Sequence, residues 1–178
     1  YYAVQPVMTS FNIKYADLTL NVENASVTAN IGNTPMDRNL VIKNGGEGTL
    51  SSRTVVTQLE PEVELSGDGY YLMIGGVKTA IPSANITPIA GGYSISISSS
   101  LIQQADGNAN MDSNLDKDDQ IKIVESVVLK RCTNSGQTSY SVNWGCYTDN
   151  CPDQNTTGTS NVDLQLGIPS FNVSLQTL

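Results

Sequence analysis

The sequence predicts an all-β chain folded as an antiparallel sandwich, and three observations carry that prediction. Apolar and hydroxyl residues alternate with period two, most clearly at 93–99 (YSISISS), which is the signature of a half-buried strand. Glycine-rich turn signals punctuate the alternating runs: 44–48 (NGGEG), 67–69 (GDG), 75–76, 82–83 (PS), 91–92 and 134–136 (NSG). The composition is rich in Ser, Thr, Asn and Gly, which compete with or weaken helical hydrogen bonding but suit strands with one wet face.

Taken in chain order, a first strand is expected within 11–20, with Phe11, Ile13 and Tyr15 on one face. Further strands are expected at 22–31, 40–43, 53–59, 70–74, 93–99, 121–130, 139–144 and 162–166. The one helical candidate, 99–104, is too short to build a helical layer. Strands and helices do not alternate, which argues against a doubly wound nucleotide-binding sheet. Gly45-Gly46 and Gly75-Gly76 read as hairpin turns, not phosphate cradles. Glu60, Glu62 and Glu64 flank Pro61 in a pattern that fits an exposed edge strand.

Composition also bounds function. Of the 178 residues, 39% are hydrophobic and 15% charged; the formal net charge is −8 and the isoelectric point about 4.3. So acidic a chain is poorly suited to nucleic acid or to an anionic membrane surface, both of which call for Lys and Arg. It leaves carboxylates for a hard cation such as Ca²⁺. There is no histidine, so the usual general base and the commonest transition-metal ligand are missing. An enzyme is not expected; a glycosidase would need two carboxyl groups facing each other across a cleft. No run reaches the roughly 18 apolar residues of a membrane span, so no direct membrane insertion is expected. Tyr1 begins in mid-pattern, and the sequence reads as a piece of a longer secreted chain.

Ser10, Phe11, Asn12 and Ile13 are echoed by Ser170, Phe171, Asn172 and Val173, one copy near each end, and Leu18 matches Leu178 at the same offset. The echo suggests a tandem array with a period of about 160 residues. On that reading 1–9 is the end of a preceding repeat or a linker, 10–169 one sandwich repeat, and 170–178 the start of the next. A candidate break near 91–100 would divide the repeat into two subdomains.

Three groups of residues could carry chemistry. Asp106, Asn108, Asn110, Asp112, Asn114, Asp116 and Asp118 place an oxygen-bearing side chain at every even position, and Asp119 follows. Alternate side chains of a curved segment can converge on one Ca²⁺, which takes six to eight oxygens. Met111 or Ser113 stands where a sharp-turn glycine is usual, and no Glu closes the loop; the competing reading is a solvated connector. The second group is Cys132, Cys146 and Cys151. If 121–132 and 138–146 formed a hairpin, Cys132 and Cys146 would stand roughly 25 Å apart, beyond the reach of about 7 Å that a disulfide allows. Cys146–Cys151 closes a tight loop worth about 2 kcal/mol, and Cys132–Cys151 stays open as an alternative. Three thiols without histidine are one ligand short of a zinc site. The third group is Trp144, with Tyr140 and Tyr147. It reads either as a sugar-stacking platform, as in a carbohydrate-binding module of a secreted enzyme, or as a core anchor. Asn24, Asn85, Asn155 and Asn172 begin Asn-x-Ser/Thr triplets, which are glycan acceptors in a eukaryotic secretory route.

Residues 39–50 (NLVIKNGGEGTL), the acidic loop running from Asp106 to Ile123, and the Trp144-Gly145-Cys146 ending followed by Cys151 together resemble the Ig-like repeats of giant cell-surface adhesins of Bacteroidota, including those used in gliding. Lys117, Asp118 and Asp119 depart from the Gly-Glu pair expected in that loop. The resemblance implies an Ig-like β-sandwich in an extracellular filament, exported by a dedicated outer-membrane route. It implies neighbouring repeats of the same chain as partners and a surface polysaccharide or a host or substratum ligand as the thing contacted. It brings no catalytic residues.

Overall fold

The computed structural model describes residues 14, 16–23, 32–50, 53–59, 63–130, 138–144 and 154–156. They form ten strands, one short α-helix and one 3₁₀ turn (Ser83–Asn85): β1 (Leu18–Glu23), β2 (Gly32–Asn44), β3 (Arg53–Gln58), β4 (Val63–Ile74), β5 (Val77–Ala80), β6 (Ile86–Ile89), β7 (Gly92–Ile97), α1 (Ser99–Gln104), β8 (Gln120–Leu129), β9 (Ser139–Trp144) and β10 (Gln154–Thr156). One sheet has the order β1-β2-β8-β4-β5 and the other β10-β9-β3-β7-β6. Neighbouring strands pair antiparallel throughout. The chain is therefore an all-β antiparallel Ig-like sandwich.

The alternation read in the sequence decides which face of each strand is inside. On β8, Ile121, Ile123, Glu125, Val127 and Leu129 are all buried at alternate positions, and on β2 the buried set is Arg38, Leu40, Ile42 and Asn44. Val55 and Thr57 of β3, Ile95 and Ile97 of β7, and Tyr140, Val142 and Trp144 of β9 close the core from the other side. The apolar members join one continuous cluster. Gly92 shows how closely the strands approach: a Cβ there would lie 2.0 Å from the Thr57 carbonyl oxygen. Gly92→Ala is expected to cost about 1–3 kcal/mol, read as a lower urea midpoint at unchanged slope. An unshifted midpoint would mean that β3 and β7 part there without cost.

Strands on both sides of Gly91 share both sheets and the same core, and β6 and β7 form a hairpin across it. Among the described residues, the strands before and after 91–100 belong to the same two sheets. The 67–69 segment is not a turn between strands: Gly67 and Gly69, with φ of 62° and 76°, sit in a bulge of the continuous strand β4. The expected strands at 40–43 and 70–74 are the C-terminal parts of longer ones, β2 and β4. At its Val63–Leu65 end β4 pairs with β8 alone, because β5 covers only Tyr71–Ile74. Among the described residues, the exposed Glu64 therefore lies on an unpaired edge, ion-paired to Lys130. The strands 121–130 and 139–144 do not form a hairpin, since β8 and β9 lie in opposite sheets. That removes the geometry used to set Cys132 far from Cys146. The three cysteines, Phe11 to Ile13, Tyr15, most of 22–31, and 162–166 lie outside the described residues.

α1 carries the chain from β7 toward β8. Its Ile102 is anchored in the core, and the loop 105–119 then crosses the end of the sandwich. Asp106 N donates to Met73 O, and Gln120 N to Gly107 O. Leu115 pairs with Leu50 in a two-way backbone bridge, and both side chains are buried.

Candidate functional site

The eight oxygen-bearing residues of this loop do not all face one point. Both oxygens of Asp106 are turned to the β4–β5 hairpin, accepting from Gly75 N at 2.6 Å and Gly76 N at 2.8 Å. Those two glycines have φ of 58° and 75°, the conformation a two-residue turn needs at both positions. Asp118, itself at φ 69°, is ion-paired to Lys43 at 3.0 Å, which holds its carboxyl below the usual range. Asp119 is buried and accepts from Ala109 N and Asp116 N, so it closes the loop on itself. Asn114 takes its backbone N–H to Asp112 Oδ1 at 2.7 Å.

Asn108, Asn110, Asp112 and Asp116 are arranged differently. Asn110 Nδ2 stands between two carboxylates, 3.1 Å from Asp112 Oδ2 and 2.9 Å from Asp116 Oδ2. Asp116 Oδ1 also accepts from the Thr49 hydroxyl at 2.7 Å. Asn108 is only 5% exposed, and its amide nitrogen reaches into the loop to Asp112 O and Asn114 O, with Ile102 O behind. Its Oδ1 is buried with no hydrogen-bond partner. Among the described residues no three Asp, Glu, Cys or His side chains stand together as a metal-binding group.

A second polar constellation was not anticipated from the sequence, and it lies inside the core. Arg38, Glu125 and Tyr70 are direct cross-strand partners in one row of the first sheet. Tyr140, Thr57 and Tyr93 make the matching row of the second. The two rows face each other. Glu125 is fully buried and meets Arg38 Nε at 2.8 Å, the Tyr70 hydroxyl at 3.0 Å and the Tyr140 hydroxyl at 2.7 Å. Thr57 Oγ1 is 2.5 Å from the Tyr70 hydroxyl, and Arg38 donates to Thr138 Oγ1 at 2.6 Å. The Tyr70 and Tyr93 rings meet edge to face, 5.8 Å between centroids, and the Arg38 guanidinium lies over the Tyr140 ring. Burial, then the Glu125 charge, raises the Tyr70 pKa well above its ordinary value, so its hydroxyl stays a donor. A signal was available: Glu125 and Arg38 interrupt the apolar side of otherwise regular strands.

Of the aromatic group read in the sequence, Tyr140 and Trp144 lie in the core. Tyr140 is committed to Glu125, and Trp144 is buried with its Nε1 on Ala16 O at 3.3 Å. Neither ring offers a face to a sugar. Tyr147 lies outside the described residues, and among those described no aromatic side chain is exposed.

The sequence matches no protein-family model and no curated protein. Its sandwich is similar to the major pilin subunit BcpA of Bacillus cereus, with a TM-score of 0.50 at 10% identity over 85% of this chain and 40% of the pilin. The chain thus spans under half of that pilin's length. It is also similar to ACE19, the collagen-binding subdomain of an Enterococcus faecalis surface protein, with a TM-score of 0.43 at 10% identity over 88% of this chain and 99% of the subdomain. A third similar structure is AvmM, which catalyzes macrocyclization in alchivemycin A biosynthesis (TM-score 0.41, 12% identity, 89% and 92% covered). The likeness to the pilin is one of fold: two antiparallel sheets packed as an Ig-like sandwich.

Proposed function

We propose that this protein is an extracellular structural or adhesive domain, a rigid sandwich that extends and displays a cell-surface filament. The observation that carries the reading is where its polar chemistry lies. A buried polar network is sealed in the core, where it ties five strands of two sheets together. The outer face offers no exposed aromatic among the described residues. Fold likeness to a surface pilin agrees with this. The finer assignment, a tandem repeat of a Bacteroidota adhesin of the gliding type, rests on residues 39–50, the acidic loop and the Trp144-Gly145-Cys146 ending. A Cys146–Cys151 bridge, neighbouring repeats as partners and a surface polysaccharide or host ligand belong to that proposal.

Single-molecule pulling of the chain in a polyprotein tests it. A mechanical domain should unfold in one cooperative step, at a force that falls when Glu125 is replaced by Gln. Gradual extension without a force peak would overturn the mechanical reading.

A further inference from the structure

We propose that the 106–119 loop holds one divalent cation, Ca²⁺, through Asn108, Asn110, Asp112 and Asp116, and not through all eight of its oxygen-bearing residues. Two independent features point there. The first is the pair of carboxylate oxygens, Asp112 Oδ2 and Asp116 Oδ2, brought within hydrogen-bonding distance of one point. That point is taken by the Asn110 amide nitrogen, a neutral dipole standing where a cation would neutralise both charges. A half-turn of the Asn110 carboxamide exchanges its nitrogen for Oδ1, whose present hydrogen bond is a long 3.5 Å contact with Asp112 N. The second is Asn108. Its carboxamide is pushed into the same loop, its nitrogen is used three times over, and its oxygen is buried without a partner. A buried amide oxygen left unsatisfied is costly, and a cation is a partner that it lacks.

The remaining residues have other tasks. Asp106 pins the Gly75-Gly76 turn, Asp118 pairs with Lys43, and Asp119 holds the loop's own backbone. Two carboxylates, two amides and water make a hard, oxygen-only set of low charge. Such a set selects Ca²⁺ over transition metals, and its affinity belongs with the weak sites of extracellular modules, a Kd of about 10⁻⁴–10⁻³ M.

The test is calorimetric titration of the whole chain with CaCl₂ at fixed ionic strength, with MgCl₂ as the comparison. One equivalent of Ca²⁺ should bind in the stated range, with Mg²⁺ at least tenfold weaker. Asp112→Asn and Asp116→Asn should each weaken binding at least tenfold, while Asp118→Asn leaves it within about twofold, each variant first shown folded by its circular dichroism. If a loop variant does not fold, Tb³⁺ luminescence of the unaltered chain, displaced by Ca²⁺, reads the same site. No heat and no displaceable Tb³⁺ up to 10-fold above the stated range would overturn the proposal. So would binding that survives in Asp112→Asn/Asp116→Asn. Neither result bears on the mechanical reading, whose test involves the core.

Discussion

Glu125→Ala is expected to destabilise the protein by about 3–5 kcal/mol, because it leaves the Arg38 guanidinium buried without its carboxylate. At this chain length that corresponds to a fall in the thermal midpoint of roughly 6–20 °C. Arg38→Ala should cost a similar amount, by stranding a carboxylate that then keeps only the two tyrosine hydroxyls. The double replacement Arg38→Met/Glu125→Leu should cost far less than the sum of the two single changes, since it removes both charges and refills the space. Urea unfolding of the three variants measures all of this. Additive losses would show that the two side chains are not coupled as their 2.8 Å contact requires.

Asn44→Ala is expected to cost about 3 kcal/mol or more. Asn44 is fully buried at the end of β2, and every polar atom it carries is engaged. Its Oδ1 accepts from Asp17 N and Gly46 N, its Nδ2 donates to Gly48 O and Leu115 O, and its backbone bonds Asp119 O and Asp118 N. Truncation removes four hydrogen bonds and leaves buried groups unpaired, at about 1 kcal/mol each net and more where desolvation is not recovered. Asn44→Asp should be no milder, because a carboxylate oxygen would then face the Gly48 and Leu115 carbonyls. Amide hydrogen exchange locates the damage: Gly46, Leu50 and Leu115 should lose protection well before the β2–β8 ladder does. Protection unchanged at those amides would show that the junction is held by something other than Asn44.

The strands were legible because their physics is local. Ile95 and Ile97 alternate with serines, and Lys122 separates Ile121 from Ile123, so each run declares its own inner face. Ser99 to Gln104 was legible as a lone helical turn for the same reason. What was not legible is what depends on pairing between distant segments. Nothing local in 67–69 distinguishes a bulge from a turn; β8, pairing on either side of it, decides. Nothing near Cys132 says that β8 and β9 part into different sheets. Trp144 beside a Cys-rich end is as compatible with a sugar platform as with a core anchor until Ala16, far away in sequence, supplies the acceptor for its indole. The oxygen-rich loop was legible as a group. Its division into turn-pinning, ion-pairing and inward-facing members was not, since Gly75, Lys43 and Thr49 make that division.

The row of Arg38, Glu125 and Tyr70 also bears on how the chain finds its alignment. A strand slipped by two residues keeps its apolar side inside, so aliphatic alternation alone rejects odd slips and accepts even ones. In this sandwich an even slip of β8 against β2 would bring Glu125 opposite Met36 or Leu40 instead of Arg38. The carboxylate would then be sealed among hydrocarbon, and the tyrosine hydroxyls above it would miss their acceptor. The buried charges thus serve as a key cut for one alignment. A slipped alignment of the central strands therefore carries the cost of an unpaired buried charge that the native one does not.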